Sequence, residues 1–314
     1  MSEPIAQPLY TLYNSPWEAY RRPYVRDLAY VLACPNVLTE WLDFAPHQNT
    51  HTVSVHSISF WQQQFEAYRK RLNELDTTND YQELTRYLLK RPSPNRLGFH
   101  FEGLVSFWLE DGFARKLHPY EMLANNVQLY NGKQTTGELD LILYNHEEKL
   151  TEHWELAIKF FMGSAPFEPV NWVGINSNDN LQRKMTHMQT KQFRTVWVET
   201  ESHGQVKIDK RYSVIKGRFF LPMATTRFSY PSWLSPGFPM HEWCDKYDTS
   251  TLATLDISAL RSAHYIEWFT RRDFYDGRHS PLTYDENGAL KTGLYFEGDR
   301  PIVIYPKQSD QAEG

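Results

Sequence analysis

The stretch between Gly137 and Gly163, which reads GELDLILYNHEEKLTEHWELAIKFFMG, constrains the fold more than any other part of the chain. Apolar and polar side chains alternate along residues 137–144 and again along 152–161, as they do along half-buried β-strands. A polar segment at 145–149 separates the two runs and has the composition of a turn. The pattern therefore predicts two antiparallel strands that are joined by this turn.

Charged side chains interrupt this otherwise apolar pair of strands. Because successive side chains of a strand point to opposite faces, Glu138 and Asp140 share one face of the first strand. Glu155 and Lys159 share one face of the second strand in the same way. We expect the two sets to face the same side and to converge on one pocket that solvent can reach. The interleaved apolar residues are expected on the opposite side: Leu139, Leu141, Trp154, Leu156, Ile158 and Phe160.

Two kinds of structure account for such a cluster. Carboxylates that are forced together repel each other, and a divalent cation can neutralise them. A few hard oxygen ligands suit Mg²⁺ or Mn²⁺, either of which can activate a water molecule for the hydrolysis of a phosphodiester. A nearby lysine can orient that water. The alternative is a plain salt bridge in which Lys159 neutralises Glu155 or Asp140, and the spacing alone favours this alternative.

Periodic apolar positions predict helices on both sides of the strand pair. The predicted helices are 15–32, 58–75, 81–90, 97–109 and 176–197. Gly112 is expected to end the fourth of these helices, and Glu102 lies beside its apolar stripe. Further strands are predicted at 126–130, 212–221 and 301–305. This order is typical of an α/β fold, with an N-terminal helical region (1–94), an α/β core (95–225) and a C-terminal extension packed on the core (226–314).

Charge and cysteine content narrow the function classes. A net charge of −5 over 314 residues argues against a protein that coats nucleic acid along its whole surface. Residues 181–218, however, hold nine Lys and Arg against three acidic residues. Such a window is either a solvated face or a local surface for nucleic acid. Cys34 and Cys244 are the only cysteines of the sequence, so neither a disulfide framework nor a thiolate zinc cluster is expected.

The sequence carries no membrane or export signal. Its first residues have neither the basic region nor the apolar region of a signal peptide. No apolar run approaches the length of a membrane span. We therefore expect a cytoplasmic protein without a membrane partner.

Three features, taken in order, resemble the restriction-endonuclease-like superfamily, also called the PD-(D/E)XK nucleases. They are the helix with Glu102, the strand Gly137-Glu138-Leu139-Asp140, and the next strand with Lys159. More narrowly, residues 17–300 are similar to an uncharacterised bacterial family, a domain of unknown function that its motifs place in that superfamily. The segments that carry this likeness are RDL at 26–28, LGFHFE at 97–102, GELD at 137–140, HWELAIKF at 153–160, NLQRKM at 180–185 and KGRFFLP at 216–222.

The resemblance implies a restriction-endonuclease-like core, a mixed β-sheet flanked by helices, with an irregular C-terminal extension. It implies a hydrolase, a nuclease dependent on Mg²⁺ or Mn²⁺, in which Asp140, Glu155 and Glu138 bind the metal. Lys159 would position the attacking water, and Glu102 would be an accessory acid. Nucleic acid is the implied partner, with DNA favoured over RNA. Side chains on and just after the predicted helix would contact it: Arg183, Lys184, Gln189 and Lys191.

One position departs from the superfamily pattern. The usual acid two residues before the lysine is replaced by Ala157. The acid here is Glu155, about 6.6 Å further along the strand but on the same face. This departure leaves three interpretations open. The metal ligand has migrated in an active nuclease, or an inactive module of this fold binds nucleic acid or a protein partner, or the strand pair carries only a structural salt-bridge network.

Overall fold

The computed structural model describes residues 15–48, 51–91, 93, 96–131, 134–176, 178–223, 225, 228–272 and 282–307. The helices are α1 (Pro23–Ala33), α2 (Ile58–Thr77), α3 (Tyr81–Lys90), α4 (Leu97–Ala114), α5 (Leu181–Thr190) and α6 (Thr249–Leu252). The strands are β1 (Ser54–Val55), β2 (Tyr120–Asn131), β3 (Gln134–Asn145), β4 (Leu150–Gly163), β5 (Trp172–Gly174), β6 (Trp197–Thr200), β7 (Gly204–Lys207), β8 (Lys210–Pro222), β9 (Met240–Asp245), β10 (Leu260–Ser262), β11 (Gly293–Glu297) and β12 (Arg300–Tyr305). Within these ranges, no helix has the length and apolar character that crossing a membrane requires.

One large mixed sheet organises the chain. Its strands follow the order β10-β11-β12-β9-β8-β4-β3-β2, with β1 beside β8 and β5 beside β4. Strand β8 runs parallel to β1, β4 and β9, whereas β3 runs antiparallel to β2 and β4. The hairpin β6-β7 forms a separate two-stranded sheet. Both predicted strands are therefore confirmed as parts of β3 and β4, and they pair antiparallel over residues 141–145 and 150–154.

Neighbouring residues of β4 show that helices cover both faces of the sheet. The ring of Trp154 lies 6.3 Å from the rings of Trp61 on α2 and Trp108 on α4. His153, one residue earlier, points to the opposite face, where its ring lies 5.3 Å from that of Phe193, just after α5. The expected α/β fold, a large mixed sheet flanked by helices, is therefore confirmed.

Strand β4 is paired differently along its two edges. On one edge, residues 152–162 pair with 210–220 of β8 without interruption. On the other edge, β3 pairs with residues 150–154 and β5 pairs with residues 161–163. Among the residues that the structure describes, 155–160 thus have no strand neighbour on this second edge. We call this interval the β4 gap.

The first helix is shorter than the predicted 15–32. A 3₁₀ turn covers Pro16–Ala19, and α1 begins only at Pro23. Because a proline ring disfavours a helical backbone in the residue before it, Arg22 is extended, with φ −77° and ψ 126°. Pro23 therefore separates the turn from the helix and then serves as the first residue of α1.

Helix α4 continues past its predicted end and stops at Ala114. Gly112 lies inside the helix, where the ring of His118 occupies the space beside it. A Cβ at this position would lie 2.5 Å from Nε2 of His118. This glycine therefore marks a close contact and not a helix terminus.

The predicted helix at 176–197 divides into a loop, a helix and a strand. The side chain of Asn180 caps α5 by accepting a hydrogen bond from the backbone N–H of Arg183 at 2.8 Å, so the helix begins after Asn180. A 3₁₀ turn at Gln192–Arg194 follows α5, and Trp197 already belongs to β6. The valines and threonines after residue 194 favour an extended backbone over a helical one.

The C-terminal extension is more regular than the sequence predicts. The strand predicted at 301–305 is confirmed as β12, and β9, β10 and β11 accompany it. Residues 240–243 of β9 pair with 219–222 of β8, so the extension continues the same sheet. These additional strands are short and rich in aromatic residues, and they lack the long alternation that identifies a strand.

Candidate active site

The candidate site lies where β3 and β4 separate. The last residue pair at this end of the two strands is Leu141 with Trp154, and Asp140 follows it at the start of the β4 gap. Oδ2 of Asp140 accepts a hydrogen bond from the backbone N–H of Leu156 at 2.7 Å. A side-chain carboxylate therefore takes the place of a backbone acceptor and directs its charge at β4.

Glu155 faces Asp140 from β4, and the two carboxyl groups are within hydrogen-bond range of each other. Glu155 is 1% exposed. Its Oε1 accepts a hydrogen bond from the side-chain amide of Gln192, whereas its Oε2 has no hydrogen-bond partner among the described residues. Nε2 of the buried His153 lies 3.4 Å from this Oε2 and likewise has no hydrogen bond within the described chain. The site therefore contains buried polar atoms that remain unsatisfied.

Burial dominates the electrostatics of the Asp140–Glu155 pair. It raises the pKa of Asp140 well above its usual 3.8, and the neighbouring Glu155 raises that pKa further. Burial also raises the pKa of Glu155 to about 7, against the opposing charge of Lys184. Two adjacent carboxyl groups with raised pKa values titrate as a unit and hold a proton more tightly than isolated carboxyl groups do. A cation bound at the pair would replace such a proton.

The two lysines of the site occupy different positions. Nζ of Lys159 lies 2.5 Å from Oδ2 of Asp179, in the loop before α5, and the Lys159 side chain is 24% exposed. Lys184, on α5, is half-buried, and its Nζ lies 3.5 Å from Oε1 of Gln192. Burial lowers the pKa of Lys184, and Glu155 opposes that shift. Both lysines therefore lie at the site, but Lys159 already forms an ion pair with Asp179.

Glu102 and Glu138 lie at the rim of the carboxyl pair. Glu102, on α4, accepts a hydrogen bond from the side-chain amide of Asn126 at 3.3 Å and lies 3.8 Å from Arg91. Burial and then the charge of Asp140 raise the pKa of Glu102 to about 7. Glu138, half-buried on β3, adds negative charge to the same rim. Both predicted acids thus lie near the pair without joining it.

Asp140 and Glu155 are the residues of this site that could hold a metal ion. Two carboxylates, completed by waters and substrate oxygens, form a donor set that Mg²⁺ commonly accepts. In the described part of the chain, no three His, Cys, Asp or Glu side chains gather closely enough to hold an ion by themselves. Any ion here would therefore take the rest of its ligands from water and substrate.

The residues predicted to contact nucleic acid do not form one surface. Arg183 and Lys191 are exposed, while Lys184 lies inward near Glu155. Gln189 is 2% exposed, and its amide donates a hydrogen bond to Oδ1 of Asp43 at 2.5 Å. In this position Gln189 holds the loop before α2 and does not face solvent.

The basic window at 181–218 offers a smaller charged surface than its composition indicates. Three of its basic residues are buried: Arg211, Lys216 and Arg218. Arg211 donates to the carbonyl oxygen of Phe193 at 2.9 Å, and Lys216 donates to that of Cys34. The exposed basic residues of the window are Arg183, Lys191, Arg194 and Lys207. The solvated charge is therefore concentrated around and just after α5.

Three further residues of the site have no signal in the alternating pattern: Asp179, Gln192 and Gly217. His153 shares a face of β4 with Glu155, two residues later, so the alternation itself is a signal for that residue. Gly217 pairs with Lys159 across β8 and β4 and has a φ of +136°. A Cβ at Gly217 would lie 1.7 Å from the carbonyl oxygen of Lys159, so only glycine fits. The segment KGRFFLP contains this glycine and was the one available signal for it, whereas Asp179 and Gln192 reach the site through loops.

A second buried carboxylate, Asp27 on α1, has a very different environment. Its oxygens accept hydrogen bonds from Thr270 at 2.5 Å and from Arg272 at 2.9 and 2.6 Å, and Nε2 of His100 lies 2.8 Å away. Burial acts to raise the pKa of Asp27, but Arg272 and His100 outweigh it and hold that pKa at about 2. We call these four residues the Asp27 network. It joins α1 and α4 to the segment after residue 268.

Fold and site together define an α/β protein whose mixed sheet carries a carboxyl pair, one member buried and one half-buried, beside two lysines. The chain belongs to the family described as domain of unknown function DUF1853, whose model matches residues 26–273. No curated protein matches the chain, and no solved structure does.

Proposed function

We propose that the protein is a metal-dependent nuclease with a restriction-endonuclease-like, PD-(D/E)XK core, and that it hydrolyses phosphodiester bonds in nucleic acid. The observation that carries this proposal is the Asp140–Glu155 pair at the β4 gap. The buried Glu155 and the half-buried Asp140 are held together there, one oxygen of Glu155 is unsatisfied, and both pKa values are raised. Such an arrangement is costly in a purely structural role, and strongly perturbed carboxylates concentrate at functional sites.

The residues at the pair fit Mg²⁺ or Mn²⁺. Both ions prefer hard oxygen ligands, and the unpartnered Oε2 of Glu155 beside Asp140 supplies such a donor. Asp140 and Glu155 would hold the ion, with Glu138 close enough to add charge from the rim. Bound there, the ion would supply Lewis acidity and lower the pKa of a coordinated water.

The protein side chains would orient the reaction. Lys159 would position the attacking water, and Glu102 would act as an accessory acid at the rim. The water oxygen bonds to phosphorus as the bond from phosphorus to the leaving oxygen breaks. The water releases one proton to solvent, and the leaving oxygen takes up one proton. Positive charge close to the phosphate would stabilise the negative charge that develops on the phosphoryl oxygens in the transition state.

A nucleic-acid strand would reach the site along α5. Arg183 and Lys191 are exposed on and just after this helix, and contacts from lysine and arginine to phosphates supply most of the non-specific affinity for nucleic acid. Gln189, being buried, would act only by supporting the loop before α2. We favour DNA over RNA as the substrate, and the substrate panel below separates the two.

An inactive module that binds nucleic acid or a protein partner is the second candidate. Ala157, which stands where the superfamily has an acid, is the observation that favours it. Such a module would bind nucleic acid equally well with and without a divalent ion, because no ion would be needed to bridge the site and a phosphate.

Metal binding and cleavage test the first candidate directly. Saturating Mn²⁺ should raise the melting temperature by about 5 °C, because an ion that binds only the folded state stabilises it. Asp140→Ala should abolish this shift. A panel of single- and double-stranded DNA and RNA should be cleaved only when Mg²⁺ or Mn²⁺ is present, and Asp140→Ala should be inactive.

Two results would separate the candidates. Cleavage that persists in EDTA, or in Asp140→Ala, would exclude the proposed metal site. Nucleic-acid binding without any cleavage and without a Mn²⁺ shift would favour the inactive module. Lys191→Ala, an exposed change at the end of α5, is the matched control for the folding of each variant.

A further inference from the structure

The two lysines near the carboxyl pair are not equivalent. Nζ of Lys159 lies 2.5 Å from Oδ2 of Asp179, which makes a direct ion pair. An ammonium group in such a pair has most of its field cancelled at a distance. To contact a phosphate or a water at the Asp140–Glu155 pair, Lys159 would first have to leave Asp179.

Lys184 is connected to the carboxyl pair itself. Its Nζ lies 3.5 Å from Oε1 of Gln192, and the amide of Gln192 donates to Oε1 of Glu155. Gln192 thus links the ammonium group to the carboxyl pair. The charge of Lys184 also acts on both Asp140 and Glu155, lowering the pKa of each against the effect of burial.

Lys184 makes no ion pair of its own. Among the described residues, no carboxylate oxygen lies within 4.0 Å of its Nζ, although the charges of Asp140, Glu155 and Asp179 all act on it. The Lys184 residue is half-buried, and its ammonium group lies near two carboxyl groups without an ion pair to either one. A positive group in this state is available for a new anionic partner, such as a phosphoryl oxygen.

We infer that Lys184, on helix α5, is the catalytic lysine of the site, and that Lys159 and Asp179 form a positioning ion pair beside it. This inference rests on the proposed nuclease function and changes which residue contacts the reacting atoms. The ammonium group of Lys184 orients the attacking water and stabilises the phosphoryl oxygens by charge. The bonds formed and broken in the hydrolysis are those already described.

The arrangement also accounts for the departure at Ala157. Glu155, displaced along β4 from the usual acid position, faces Lys184 through Gln192, whereas Lys159 lies further along the strand beside Asp179. An acid that has moved along the strand is thus matched by a lysine from a different element. The strand lysine then serves to fix the loop before α5, and this loop sets the start of the helix that carries Lys184.

Cleavage by two single variants distinguishes the lysines. Lys184→Met keeps the length and apolar stem of the side chain but removes its charge, and it should lower the Mn²⁺-dependent cleavage rate by about 100-fold. Lys159→Met should retain the rate within about 5-fold, because the charge that it removes is already paired. Lys70→Met, at an exposed lysine of α2 outside the proposed site, is the matched control and should cleave like the parent protein. Loss of cleavage in Lys159→Met together with retention in Lys184→Met would overturn the inference.

Mn²⁺ binding by calorimetry supplies a readout that does not depend on cleavage. Removing the positive charge of Lys184 should lower the Kd for Mn²⁺ by about 10-fold, since a like charge near the ion is lost. Lys159→Met should leave Kd nearly unchanged. Equal changes in both variants, or a larger change in Lys159→Met, would contradict the assignment.

The outcomes for the inference and for the proposed function remain distinguishable. If the parent protein binds no Mn²⁺ and cleaves no nucleic acid, the proposed function is wrong, and so is the role of Lys184. If the parent protein and Lys184→Met cleave equally well, the proposed function stands and only the inference about Lys184 is wrong. A urea-unfolding double-mutant cycle should show coupling of Glu155→Gln with Lys184→Met and little with Lys159→Met, and the reverse order would count against Lys184.

Discussion

Two sets of buried or half-buried carboxylates lie in the protein, and their surroundings are opposite. Asp27 is surrounded by donors, with Arg272, Thr270 and His100 all in contact with its two oxygens. The Asp140–Glu155 pair has fewer donors than acceptors, and Oε2 of Glu155 has no partner among the described residues. The pKa is lowered in the first case and raised in the second.

This contrast distinguishes a carboxylate that links elements of the fold from the pair that we propose as a metal site. A buried charge that is fully paired links elements of the fold and gains nothing from a ligand. A buried pair of carboxyl groups that repel each other gains a great deal from a cation. Carboxylates therefore support the fold at Asp27 and form the proposed metal site at the β4 gap.

The largest expected effect is the loss of Asp27. Asp27→Asn removes the charge that balances Arg272 and leaves that guanidinium buried and unpaired, so we expect a loss of about 3–5 kcal/mol in the free energy of unfolding. Urea denaturation monitored by circular dichroism measures it. A loss below about 1 kcal/mol would mean that the Asp27 network does not hold the chain together.

The dependence of stability on pH should have opposite signs at the two carboxylate sets. Glu155 has a folded pKa of about 7 against a usual value of 4.5, so its contribution is complete below pH 4.5 and is lost as the pH rises through 7. Asp27 has a folded pKa of about 2 against 3.8, so its contribution is present above pH 3.8 and is lost as the pH falls through 2. In EDTA, raising the pH from about 5 to about 8 should lower the stability by on the order of 2 kcal/mol.

Variants of Glu155 and Glu102 identify the group that causes the decrease in stability toward neutral pH. Glu155→Gln should flatten the decrease between pH 4.5 and 7 and leave the acid side of the profile unchanged. An unaltered decrease in Glu155→Gln would assign that effect to another group, with Glu102→Gln as the next variant to measure.

Gln189 extends the comparison to a neutral buried group. Its amide donates to Asp43 and accepts from Trp41 at 3.3 Å, so Gln189→Ala should lower the free energy of unfolding by about 1–2 kcal/mol. Lys191→Ala, two residues later and exposed, should change it by less than about 0.5 kcal/mol. Chemical denaturation of both variants side by side is the measurement, and equal effects would show that Gln189 has no special structural role.

The smallest expected change in the free energy of unfolding is at Asp140, where the substitution should stabilise the protein or leave its stability unchanged. The amide oxygen of Asn can still accept the hydrogen bond from the N–H of Leu156, while the repulsion with Glu155 disappears. Asp140→Asn should therefore be neutral or stabilising by up to about 1 kcal/mol near pH 8 in EDTA. It should also lose the Mn²⁺-dependent rise in melting temperature. A marked destabilisation would place Asp140 with Asp27 among the structural carboxylates.

The sequence predicts those parts of the fold that follow a local repeat. The long alternation along β3 and β4 and the apolar stripes of α2 and α3 give their positions within a few residues. The start of α1 depends on the backbone restriction at Pro23, and Gly112 of α4 reflects a tertiary contact with His118 and not a helix end. Strands as short as β5 and β10 contain too few residues for any period to show.

The candidate site likewise has a part that the sequence predicts and a part that it does not. The convergence of Asp140 with Glu155 follows from strand alternation and the turn between the strands. The partners of the two lysines do not, because Asp179 and Gln192 come from loops on either side of α5. Spacing along a strand places side chains on a face, but it does not say which loop will close over them.

The different pairing of the two edges of β4 should let one edge tolerate substitutions while the other keeps the strand in place. Eleven consecutive residue pairs with β8 anchor this strand on one side, so its place in the sheet does not depend on what happens at the β4 gap. Substitutions that alter the ligands, the charge or the loops at the gap can accumulate while the strand stays in register. Variation among relatives should therefore be concentrated on the open edge, and a new chemistry could arise there without the chain having to fold in a new way.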